Sequence, residues 1–139
     1  MIVHCCHCTW CQRETGSAFA VNALIEADRV EVLKGNVDRI ITPSNSGQGQ
    51  CIFRCPKCHV ALWSTYALSG GIGDAVYFIR VGTLDDPDIL PPDIHIYTAS
   101  KQPWVVLPPE ARAVEEYYSA REIWPEASLA RRAALLKTD

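Results

Sequence analysis

The chain has 139 residues, 48% of them hydrophobic and 21% charged, with a formal net charge of −3 and an isoelectric point near 5.8. This composition excludes a disordered chain and suits a single domain with a sizeable core. The acidic balance, without any basic stripe, argues against nucleic acid as a partner, and no apolar run approaches the roughly 20 residues of a membrane helix.

The expected elements follow in chain order. Residues 18–25 (AFAVNALI) are an apolar run closed off by Gly16-Ser17 and Glu26, best suited to a buried strand. Residues 30–33 (VEVL) alternate, and residues 37–42 (VDRIIT) follow Gly35-Asn36, so the two predict a hairpin. Residues 43–50 (PSNSGQGQ) read as a polar loop. Two strand-like runs, 51–54 (CIFR) and 60–66 (VALWSTY), flank a cysteine pair, and 67–74 (ALSGGIGD) are glycine-rich. The strongest strand pattern is 75–81 (AVYFIRV). Three prolines make 85–93 irregular, with Asp85-Asp86-Pro87 as a turn. Short strands are expected at 94–97 (IHIY) and 104–107 (WVVL). Beyond them the composition shifts to Ala, Glu, Arg and Leu, predicting helices over 110–121 and 126–136, with Pro125 at the start of the second. The expected fold is mainly β, with antiparallel strands and a helical tail. It divides into a β domain over 1–109 and a helical extension over 110–139.

The opening residues lack the basic and apolar segments of a signal peptide, so the expected compartment is the cytoplasm, where thiols stay reduced. Seven cysteines are too few for a disulfide scaffold and odd in number, which favours metal binding. Four of them fall in CCHCTWC, at positions 5, 6, 8 and 11. In an extended chain Cys6 and Cys8 point to one side, while Cys5 and His7 point to the other. A turn at Cys8-Thr9-Trp10-Cys11 brings its two sulfurs together. Cys6, Cys8 and Cys11 then hold a zinc ion with three thiolates and leave one position open, as catalytic zinc requires. The alternative is a closed four-cysteine site shared with Cys55 and Cys58. That second pair, CPKC, lies between strand-like runs as in a zinc knuckle. A redox CxxC would need a βαβ setting that this chain does not show.

These stretches resemble the glutathione-dependent formaldehyde-activating enzymes and their relatives, which include centromere protein V. CHCTWCQRETGSAFAV, RCPKCHVALWS, VGTLDDP and HIYTASKQPW carry the likeness in that order, over about residues 3–104. The resemblance implies a zinc fold of the β-tent type with two zinc sites. In that family the motif matched by Cys6, Cys8 and Cys11 holds the catalytic zinc. The motif matched by Cys55 and Cys58 holds half of a structural zinc. The other half comes from an upstream CxC, for which residues 1–4 leave no room here. A late-assigned gene start or a shortened chain is the expectation, with Cys5, Cys51, His4 and His59 as weak substitutes for the absent ligands.

The resemblance implies a carbon–sulfur lyase or synthase that joins or separates a thiol and a small aldehyde, as in glutathione plus formaldehyde giving S-hydroxymethylglutathione. A small glutathione-like thiol is then the expected partner, with no nucleic acid, no membrane and a homodimer left open. Arg13, Arg54 and Lys101 are candidate cations for its carboxylates, each competing with a plain surface role. Trp10 and Trp104 are candidate pocket walls. His95, out of phase with Ile94 and Ile96, suits a structural or surface role better than that of a base. Two rival classes are a non-enzymatic zinc module that binds a protein partner, favoured by the absent CxC, and a thiol–disulfide exchanger.

Overall fold

The computed structural model describes residues 1–44, 46–66 and 72–136. Its frame is a seven-stranded mixed sheet. The strands are β1 (Ile2–Cys6), β2 (Ala20–Glu26), β3 (Asp38–Thr42), β4 (Gln50–Arg54), β5 (Ala61–Thr65), β6 (Val76–Arg80) and β7 (Ile94–Ile96). Their order is β3-β4-β5-β6-β2-β1-β7. Every neighbouring pair is antiparallel except β1 and β7, which run parallel. The mainly β class expected from the sequence holds, and the parallel pair is its one departure from an antiparallel sheet.

All five residues of β1 are buried, because chain covers both faces of this strand. In β2 burial alternates, the signature of a sheet with one face packed more tightly than the other. Ile2, Cys6, Ala20, Leu24, Val76, Ile94, Ile96 and Trp124 form one core cluster. A seven-residue helix, α1 (Thr9–Thr15), links β1 to β2. It ends at Gly16, whose φ of 67° is left-handed and whose N–H donates to the Gln12 carbonyl, an ending that suits glycine.

Three sequence expectations fail. Residues 30–33 form no strand, so there is no hairpin at Gly35-Asn36; β3 pairs with β4 instead. Residues 104–107 are irregular. The helix expected over 110–121 is a largely irregular segment, because its backbone is used elsewhere: Arg112 and Val114 exchange hydrogen bonds with His95, and the Tyr97 N–H donates to Glu116. Helix begins only at α2 (Ala120–Ile123), followed by α3 (Glu126–Leu135). Of the glycine-rich stretch, residues 67–71 lie outside the described residues. Among the described residues no helix is long and apolar enough to cross a membrane.

Trp124 packs into the sheet core, and the Ser128 hydroxyl donates to the Met1 carbonyl at 2.7 Å. Arg131 of α3 donates through Nε to Glu26 at the end of β2 at 2.6 Å, and its Nη2 pairs with the other carboxylate oxygen.

Candidate metal centre and active site

The site begins where β1 gives way to α1. Cys6 ends the strand and faces the core side. Cys8 is the N-cap of α1, extended at φ −64° and ψ 153°, and its sulfur accepts from the Cys11 N–H at 3.4 Å. The CxxC spacing is thus the N-cap-to-N3 spacing of a helix, which carries Cys11 back over Cys8. The turn expected from the sequence is this helix start. The sulfurs of Cys6, Cys8 and Cys11 lie within 4.8 Å of one another, and all three residues are buried.

The three thiols share their protons unevenly. The Cys8 sulfur accepts from the Cys11 and Cys6 thiols, which pulls its pKa down to about 2. Cys6 is pushed far up, first by donating to Cys11 and Cys8 and then by burial. At Cys11 the bond from Cys6 acts downward, but the bond to Cys8 and burial outweigh it, leaving it at about 12. The three buried sulfurs together make a concentrated soft donor set on one spot.

Helix α1 is held in place by its last turn. Glu14, with its side chain 6% exposed, receives Arg54 of β4 at 2.6 Å and Arg80 of β6 at 2.8 Å. Arg80 also donates to the Asn22 side chain. One buried carboxylate so ties the helix bearing Cys11 to two strands.

The thiols line a cavity of about 380 Å³. Its walls include His4, Trp10, Asn22, Phe78 and four tyrosines, Tyr66, Tyr97, Tyr117 and Tyr118. Arg132 is the arginine at this wall. His4, fully buried on the same face of β1 as Cys6, meets the Tyr118 hydroxyl, which also accepts from Trp124 Nε1 at 2.8 Å. With its oxygen already accepting, Tyr118 donates its own hydrogen to His4 Nε2. Burial lowers the His4 pKa to about 4, so the ring is the neutral acceptor this bond needs. Burial also raises Tyr117 to about 12 and drives Tyr66 and Tyr118 upward, so these phenols keep their protons. None of the four tyrosines or Arg132 carries a local sequence signal. They come from residues 66 to 132, and only folding sets them against Cys6.

Other expected residues are placed differently. Cys55 and Cys58 sit on the knuckle between β4 and β5, half-buried and exposed respectively. Cys55 is lowered by the Cys58 and Lys57 backbone N–H groups, as in a zinc knuckle. Among the described residues no third ligand joins this pair, and the pair does not join Cys6, Cys8 and Cys11, so the closed four-cysteine alternative is not formed. His4 bonds Tyr118, Cys5 groups with two histidines, and Cys51 accepts from Arg39. Arg54 is used by Glu14, and Lys101 by the Val105 and Gln102 carbonyls, so neither stands at the cavity; Arg13 lies over the Trp10 ring at 5.7 Å. Trp10 lines the cavity, but Trp104 is 70% exposed and does not.

A mainly β fold that delivers three convergent thiols to the wall of an aromatic cavity defines a thiol-cluster protein able to hold a metal ion beside a small-molecule pocket. The chain belongs to the glutathione-dependent formaldehyde-activating enzyme family, whose model matches residues 1–100. No curated protein matches the chain. Tyr117, Tyr118, Ala120 and Arg132, which complete the cavity, lie beyond the matched stretch.

The zinc implied by this family fits the residues present. Three buried sulfurs within 4.8 Å suit the tetrahedral preference and softness of zinc, and they leave one position for another ligand.

Proposed function

We propose that the chain is a zinc-dependent carbon–sulfur lyase or synthase acting on a thiol–aldehyde adduct such as S-hydroxymethylglutathione. The observation that carries this is the placement of Cys6, Cys8 and Cys11 on the wall of a cavity large enough for a small molecule. These three residues would hold the catalytic ion, and Cys55 and Cys58 would supply half of a structural site. Zinc, when bound, supplies a Lewis acid that favours the thiolate form of a bound thiol.

The chain's own groups handle the rest. Joining thiol and aldehyde forms one C–S bond and converts C=O to C–O–H; the proton leaves sulfur and ends on oxygen. No oxidant or reductant is needed. The carbonyl oxygen gains negative charge as the bond forms, and the protonated Tyr117 phenol at the cavity wall is a donor for it. Its raised pKa keeps it as an O–H group throughout. Aromatic walls hold the organic part of the substrate, and Arg132 offers a cation to a carboxylate. The division into a β domain over 1–109 and an extension over 110–139 then has a functional sense: the first presents the thiols and the second closes the cavity. The same proposal places the protein in the cytoplasm with its glutathione-like substrate.

Exchange spectroscopy by carbon NMR on glutathione and labelled formaldehyde tests this. The zinc-loaded protein should accelerate interconversion with S-hydroxymethylglutathione, and Cys8→Ser should abolish the effect. Zinc-loaded protein that leaves the exchange rate at its uncatalysed value would exclude this substrate pair. Activity that survives complete chelation would point to thiol–disulfide chemistry instead.

A further inference from the structure

Strand β1 has two faces, and the three-thiol site uses one. Cys5 points to the other by simple alternation, and His7, one residue beyond the strand, follows it. Strand β7 runs parallel to β1 with His95 in register with Cys5. Ile94 and Ile96 are buried in the core, so His95 turns to the Cys5 side. The Cys5 sulfur and ring nitrogens of His7 and His95 consequently lie within 4.8 Å of one another. His7 Nε2 is 3.6 Å from the Cys5 sulfur and 3.0 Å from His95 Nδ1.

We propose that Cys5, His7 and His95 form a second metal site, on the sheet face opposite the three-thiol cluster, for a borderline transition-metal ion such as zinc. The two separations from His7 Nε2, 3.6 and 3.0 Å, are close to the edges of a coordination tetrahedron. Zinc–nitrogen and zinc–sulfur bonds of about 2.0–2.1 and 2.3 Å imply edges of roughly 3.3 to 3.6 Å between donors. Without an ion the cluster is poorly satisfied. Cys5 and His95 both face one nitrogen of His7, Nε2, which offers a single proton or a single lone pair between them, whereas one ion would take a lone pair from all three.

The donors are held in position by their backbones. The His7 carbonyl accepts from the Gln12 side chain at 2.7 Å and from the Ser100 hydroxyl at 3.0 Å. The His95 N–H and carbonyl are both paired with the segment carrying Arg112 and Val114. His95 is half-buried, which leaves a solvent side for a fourth ligand. The role is structural. The β1–β7 pairing covers only three residues at the edge of the sheet, and an ion there would clamp the strand that leads into Tyr97 of the cavity.

The site does not depend on the proposed activity, and its test does not use it. In a Cys55→Ser/Cys58→Ser background, protein loaded with excess zinc and desalted should carry two zinc ions per chain by native mass spectrometry. Adding His95→Gln should remove one, whereas adding Cys8→Ser should remove the other and leave a zinc with imidazole ligands. X-ray absorption of the zinc-loaded parent, which needs no further variant to fold, should show imidazole scattering. A purely sulfur-ligated spectrum, or a zinc count unchanged by His95→Gln, would overturn the site.

Discussion

At the scale of single residues, the cysteine spacing and its surroundings carry different kinds of information. Cys6, Cys8 and Cys11 are so near in the chain that strand alternation followed by a helix cap brings them together. Their convergence was legible before any folding. His4 and Tyr118 are 114 residues apart, and nothing local marks them as partners. Their hydrogen bond is nevertheless part of the cavity wall. Tyr118→Phe should strand the His4 nitrogen and the Trp124 N–H in a buried setting, at a cost of about 1–3 kcal/mol read by denaturant unfolding. The zinc content should not change, because no sulfur ligand is touched. His7 alternates away from Cys6 as expected, and the other face of β1 brings it to His95.

At the scale of elements, α1, the helix that carries Cys11, is too short to be stable by itself. Its position depends on Cys8 at one end and Glu14 near the other. Glu14→Ala should remove the shared partner of two guanidinium groups, Arg54 and Arg80, the second of which is buried. The expected loss is on the order of 3 kcal/mol in unfolding free energy. Zinc should also be lost at lower chelator concentration than from the parent, since Cys11 sits one turn before Glu14. The absent hairpin at Gly35-Asn36 is instructive at this scale too. Alternation in 30–33 is a local preference, and it lost to the free hydrogen-bonding edge of β4, which β3 occupies in five-residue register. Leu33 is left 87% exposed, so burial gave that short run no reason to form a strand.

At the scale of the whole molecule, the tail is joined to the sheet by a core tryptophan and an ion pair. Arg131 holds the Glu26 carboxyl down to about 2, well below the ordinary carboxylate value. The folded-state pKa is depressed, so this contribution is complete above the unfolded value near 4.5 and is lost as pH falls towards 2. Thermal unfolding followed from neutral pH into that window should show a decline in Tm that Glu26→Gln flattens. Beyond anchoring itself, the tail furnishes two tyrosines and Arg132 to the cavity. If Arg132 receives a substrate carboxylate, Arg132→Ala should raise KM about tenfold while leaving kcat largely intact, as expected for lost binding common to ground and transition states. A fall in kcat at unchanged KM would remove Arg132 from substrate binding.

The sequence by itself determined the mainly β class, six of the seven strands to within a residue or two, and the thiol cluster with its family. These rest on short-range rules: side-chain alternation, helix capping and motif spacing act within a few residues. The tertiary structure decided what surrounds the cluster. Sheet order set β1 between β2 and β7, so that one strand serves two faces with different donors. Backbone pairing with His95 and Tyr97 turned a helix-prone segment into an irregular one. Arg54 and Lys101, plausible substrate cations by proximity in sequence, were taken by Glu14 and by backbone carbonyls. The physical reason is common to all three: hydrogen bonds and burial between distant segments outweigh local propensity, and they depend on partners that no short stretch can specify.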